Sequence, residues 1–150
     1  MHNFLMILAG GIFGTLLMTG ALYLLSLLTG KNYKVVGVLS TMVTNHTTPD
    51  KGLTKRPIDI IIGTILHYLI GVFFAVVYFY LWRADLIELT IGSALALGVI
   101  TGIVAIAFWS AFIRLHPNPP AVPIPGYALL VGSCHLLFSL GLYIVFIYFV

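Results

Sequence analysis

Charge is what this sequence has least of. Of 150 residues, seven are Lys or Arg and four are Asp or Glu, so 7% are charged, against about a quarter of an ordinary soluble domain. That scarcity excludes a chain built to present its whole surface to water. Cysteine is nearly absent: Cys134 stands alone, which leaves no disulfide framework and no Cys-rich metal motif. The net charge of +3 is scattered rather than gathered into a basic stripe, so nucleic acid is not an expected partner. No nucleophile elbow, phosphate-binding glycine loop or paired carboxylate occurs. No catalytic residue is therefore assigned, and a non-enzymatic role is expected.

What fills the chain instead is apolar, at 61% of residues. The charges bound four uncharged runs, 3–30, 60–82, 89–113 and 115–150. Each exceeds the about 20 residues needed to cross a hydrocarbon core. A single all-α transmembrane domain is expected, a four-helix bundle with spans near 4–29, 60–82, 89–113 and 126–149. The first run lacks a basic leading segment and is too long for a signal-peptide core, so it is read as an uncleaved helix.

The basic residues order the loops. Lys31, Lys34, Lys51, Lys55 and Arg56 lie in the first loop, Arg114 at the third, and Arg83 alone at the second. The positive-inside rule places loops one and three in the cytoplasm and both termini outside, as in a multi-pass protein of a bacterial inner membrane. Loop 31–58 contains an apolar segment, 33–43, too short to span and expected to be re-entrant or interfacial. Pro57 with Asp59 reads as a helix start and Arg56 as the partner of Asp59. The third loop carries Pro117, Pro119, Pro120, Pro123 and Pro125, a helix stop and stiff connector.

Two halves of the chain align. Setting His67 on His135 places Gly71 on Ser139, Phe74 on Leu142, Tyr78 on Phe146 and Tyr80 on Tyr148. The first and third spans share a small-residue motif, Gly10-x-x-x-Gly14 and Gly98-x-x-x-Gly102. Two parallel two-helix repeats, related by an axis along the membrane normal, are expected. Because lipid offers little hydrophobic force between helices, small faces are where backbones approach. The first and third spans are expected to pack on each other through these glycines, or to serve a homo-oligomer.

His67 and His135 stand out against this background. An ionisable side chain inside a span is costly unless it faces the bundle interior, so each is a candidate functional group. Counting along the helices puts both about 10–14 Å inside the cytoplasmic boundary, with Thr19 and Tyr23 of the first span and Trp109 of the third near the same level. Gly63 and Gly71 flank His67 and leave room for a backbone or a planar ligand. Three readings follow. The histidines lock the bundle by hydrogen bonds, or they line a pocket that binds or passes a small ligand or proton, or they ligate haem or a metal as two inward imidazoles can. The pocket reading is adopted here, with His67, His135, Tyr23, Thr19 and Trp109 as its wall. A haem- or metal-binding redox subunit is the alternative, with an accessory subunit of a larger membrane complex as a third reading.

The stretches Gly14-Thr-Leu-Leu-Met-Thr-Gly-Ala-Leu-Tyr-Leu, Leu66-His-Tyr-Leu-Ile-Gly-Val-Phe-Phe-Ala-Val-Val-Tyr and His135-Leu-Leu-Phe-Ser-Leu-Gly-Leu-Tyr resemble those of small four-span bacterial membrane proteins, a domain of unknown function. Where that pattern reads His-Leu-x-Phe-Gly, this chain has Ser139. The resemblance implies an inner-membrane protein and carries no activity with it.

Overall fold

A hydrocarbon core gives backbone N–H and C=O groups no water, so each apolar run must close its own hydrogen bonds as a helix. The computed structural model describes residues 2–149, and the side chains of 3–148. It contains α1 (His2–Thr29), α2 (Val35–Thr44), α3 (Pro57–Arg83), α4 (Ile91–Leu115) and α5 (Ile124–Phe149). All but α2 are long and apolar enough to cross a membrane. Local chemistry sets the ends. Pro57 opens α3 with Asp59 in its first turn, and Thr90 and Ser93 cap α4 reciprocally. Asn45 closes α2 in the left-handed conformation.

The first loop is more than a connector. Its apolar segment forms α2, with Val35, Val36, Val38, Leu39, Ser40, Thr41 and Met42 all buried. This helix lies against α3, with a smaller contact to α1. Its seat is Gly63: a side chain there would collide with Ser40.

α5 is the central element, packed on α4 along one face and on α1 along the other, and α1 in turn packs on α3. The expected pairing of the two glycine motifs on each other does not occur. Gly10 faces Phe146 and Leu142 of α5, and Gly14 faces Phe138 and Gly141 of the same helix. Gly98 lies against the backbone of His135 and Leu136, and Gly102 against Gly132. Both motifs are used by α5, which supplies its own glycines where the backbones come closest, so α1 and α4 flank it instead of meeting. Ser139 adds a donor to this interface through its hydroxyl, bonded to the Ala94 carbonyl.

α3 and α4 meet beside the turn that joins them. Trp82 donates through Nε1 to Ser93 Oγ at 3.2 Å, and Tyr78 and Thr101 share a hydrogen bond of 3.0 Å. Trp82 is buried and stacks edge-on with Tyr78 and Phe146. Further toward the first loop a cavity separates the two helices. A two-fold axis would make the α3–α4 contact copy the closed α1–α5 contact. The open seam, and the lack of a helix within 116–123 to match α2, leave the repeat undisplayed.

Loops one and three lie on the same face and clasp each other. Thr47 Oγ1 donates to the Asn118 carbonyl at 2.5 Å, and Lys51 Nζ to Asn118 Oδ1 at 2.8 Å. Ala121 N donates to the Lys51 carbonyl at 2.7 Å. His116 Nε2 reaches the Met42 carbonyl at the end of α2, at 2.8 Å.

Candidate functional site

The cavity has a volume of about 330 Å³. Its rim is formed by Ile70 and Phe73 of α3 and by Val104 and Phe108 of α4, all exposed on the surface that faces lipid. Met18 of α1 and Ala105 and Trp109 of α4 form its inner wall, while Val35 and Leu39 of α2 close it toward the first loop. His67, His135 and Thr101 are its polar groups.

Each histidine is placed by its helix. His67 lies ten residues past the start of α3 and His135 eleven past the start of α5. At 1.5 Å per residue these lie about 15 and about 16 Å along their helices, well inside both spans. The two rings come from different helices and line one cavity.

Their hydrogen bonds differ. His67 Nε2 and Thr19 Oγ1 are 2.9 Å apart. His135 Nδ1 lies 2.9 Å from the Val131 carbonyl one turn earlier. A carbonyl oxygen only accepts, so that Nδ1 carries the proton. The shelves beside His67 are filled from neighbouring elements: Gly63 by Ser40, and Gly71 by Thr15, whose hydroxyl returns to the Gly11 carbonyl at 2.7 Å. The space foreseen there for a planar ligand is therefore occupied.

Of the five residues singled out for the pocket, the structure brings together His67, His135 and Trp109, with Thr19 as the partner of His67. Tyr23 lies elsewhere. It borders a separate groove of about 600 Å³ at the loop face with Ser26, Lys31, Lys34, Lys55 and Leu53. The reason is the direction of α1: Tyr23 is one turn nearer the loop than Thr19 and sits below the level that α2 closes off. Sequence reasoning missed Met18, Thr101 and the two α2 residues. For Thr101 a signal existed, since Ala94, Gly98, Thr101, Ala105 and Trp109 recur at helical spacing and are all buried. Nothing in the sequence of α2 tells which helix it lies under.

A second polar cluster sits at the loop face. The buried Asp59 accepts from Thr54 Oγ1 at 2.7 Å and contacts His46 Nδ1 at 3.0 Å through the same oxygen. Arg56, its expected partner, pairs with it at 3.9 Å through Nε, while its Nη1 lies against the His46 ring.

Among the described residues no three His, Cys, Asp or Glu side chains gather as a metal site would require. The loop histidines are spent on Asp59 and on Met42, well away from the cavity pair. No protein-family model, curated protein or solved structure matches the chain, so its class is that of a multi-pass protein with four apolar membrane-spanning helices and no family is identified.

Proposed function

We propose that this chain is a membrane protein that binds a small ligand in the cavity of His67 and His135. The observation that carries the reading is one chamber within the spans, with two imidazoles and one threonine in an otherwise apolar wall. Concave, mostly apolar sites with a few placed polar groups are what ligand pockets have in common. Binding is favoured over passage of a proton or solute. Beyond the histidines the interior is filled by Tyr78, Phe138 and Phe146, and toward the loops α2 intervenes. The first loop carries most of the basic residues and shares its face with the third, which supports a cytoplasmic assignment for both loops, in a bacterial inner membrane. Of two parallel repeats, the pairing of α1 with α3 and of α4 with α5 is the part that the packing supports.

The alternative of haem or metal ligation draws support from His135 alone, since ligating histidines usually give their other N–H to a carbonyl or carboxylate. His67 has turned its Nε2 to Thr19, which weakens a bis-imidazole reading.

Ala105→Phe tests the proposal. It puts a ring into the cavity and leaves both histidines in place. Solvent extracts of the purified wild-type protein should contain a small molecule in near-stoichiometric amount that the variant lacks. Identical extracts from equally folded proteins would refute a ligand cavity.

A further inference from the structure

The two nitrogens of His135 are not equivalent. Nδ1–H is committed to the Val131 carbonyl, so in the neutral ring Nε2 presents a lone pair and can only accept. A second proton would put a charge near the middle of the membrane, and no Asp or Glu lines the cavity to compensate it. Among the described residues Nε2 has no hydrogen-bond partner, yet it is not among the polar atoms sealed away from all space. His135 borders the cavity and a small recess of about 40 Å³ that shares Met18, His67, Ile70 and Phe74 with it.

The other polar atoms of the wall do not serve it: among the described residues His67 makes no hydrogen bond to it, its Nε2 pairing with Thr19. Thr101 Oγ1 gives its proton to the Leu97 carbonyl at 2.8 Å, so in its pair with Tyr78 it is the acceptor. The Thr19 hydroxyl is engaged with His67. An unmet acceptor in apolar surroundings is costly. A hydrocarbon chain, an ether or a ketone would leave it unmet.

Access is equally specific. α2 and the clasped loops close the chamber toward the loop face, and Tyr78 with Thr101 close it toward the opposite one. Its rim lies between Ile70 and Phe73 on one side and Val104 and Phe108 on the other, all exposed to lipid. The volume, about 330 Å³, stands at the lower end of the about 300–1,000 Å³ found for small-molecule sites. It fits a single ring with short alkyl arms better than a whole phospholipid.

We propose that the ligand is a lipid-soluble hydrogen-bond donor, a neutral phenol or alcohol on a compact apolar body, which enters sideways from the bilayer between α3 and α4 and donates to His135 Nε2. This rests on the ligand-cavity reading and specifies its substrate class.

The protein supplies a reporter. It has two tryptophans, of which Trp109 lines the cavity and Trp82 lies beside the α3–α4 turn. In a Trp82→Phe background reconstituted into phosphatidylcholine vesicles, Trp109 emission is titrated with 4-bromo-2,6-dimethylphenol. Two comparison probes lack the donor, its methyl ether and the arene without the hydroxyl. Bromine quenches on contact, and concentrations are compared as those in the membrane. The phenol should quench saturably at about tenfold lower concentration than either comparison probe, the preference expected of one hydrogen bond inside a membrane protein. His135→Phe should erase that preference while the apolar probes still quench. His135→Gln, which keeps an acceptor, should retain part of it and covers the event that the Phe variant does not fold. Equal saturable quenching by all three probes would overturn the donor requirement and leave the cavity standing. Failure of every probe to quench saturably would overturn the cavity reading itself.

Discussion

Gly102→Ala and Gly20→Ala add the same methyl group to two membrane helices, and the structure predicts opposite outcomes. At Gly102 the new Cβ would stand 2.5 Å from the carbonyl oxygen of Gly132. Ordinary contact begins near 3.4 Å, so α4 and α5 must part by about 0.9 Å along a line where the obstacle is backbone and has no rotamer to escape into. Overpacking of this kind costs about 1–3 kcal/mol. At Gly20, exposed and with nothing within 4 Å of the added atom, only the helix preference for Ala over Gly remains, worth up to about 1 kcal/mol in the stabilising direction. Because the helix preference is common to both sites, the separation between the two variants should be about 1–3 kcal/mol. Reversible unfolding of each in mixed micelles, by SDS titration read through helical circular dichroism, gives both values from one assay. A Gly102→Ala protein as stable as wild type would refute the glycine-to-glycine contact and with it the central position of α5.

Two further outcomes are expected. Thr54→Val removes the hydroxyl that donates to Asp59 and accepts from Arg56 N at 3.2 Å. It leaves a buried carboxylate one donor short, so the same titration should show a loss of about 1–3 kcal/mol. A loss no larger than that of an exposed Thr29→Val control would count against the cluster as a structural element. In a Cys134→Ala background, Glu88→Cys should react with an impermeant maleimide in intact cells, and Lys51→Cys only after the cells are permeabilised. The reverse pattern would invert the orientation.

How far the sequence carries this picture depends on the force involved. The spans were legible because a run such as 60–82 has one physical solution in hydrocarbon. The inward turn of His67 and His135 was legible because a polar ring in lipid has a strong preference for the interior. Which helices neighbour which was not. Gly10, Gly14, Gly98 and Gly102 announce close approach but do not name the partner, and Gly132 and Gly141 of α5 fit both motifs. Tyr23 was misplaced for a related reason: its level along α1 was readable, but the ceiling that α2 sets over that level was not. Arg56 was assigned to Asp59 by spacing, whereas Thr54 and His46 reach the carboxylate first because the loop folds back on the start of α3.

The clasp between the first and third loops has a bearing on how the chain is made. α2 leaves the ribosome early, yet the side chain that bonds its Met42 carbonyl is His116, 74 positions later, and the Asn118 that receives Thr47 and Lys51 emerges later still. During synthesis α2 can seat on Gly63 of α3 as soon as that helix inserts, but its clasp to the third loop can close only after α4 has followed. Assembly of spans before the seating of irregular segments is the order that a two-stage view of membrane folding expects. The clasp beneath the chamber's floor is thus the last of these contacts to close, and α2 is held until then by α3 alone of the later spans.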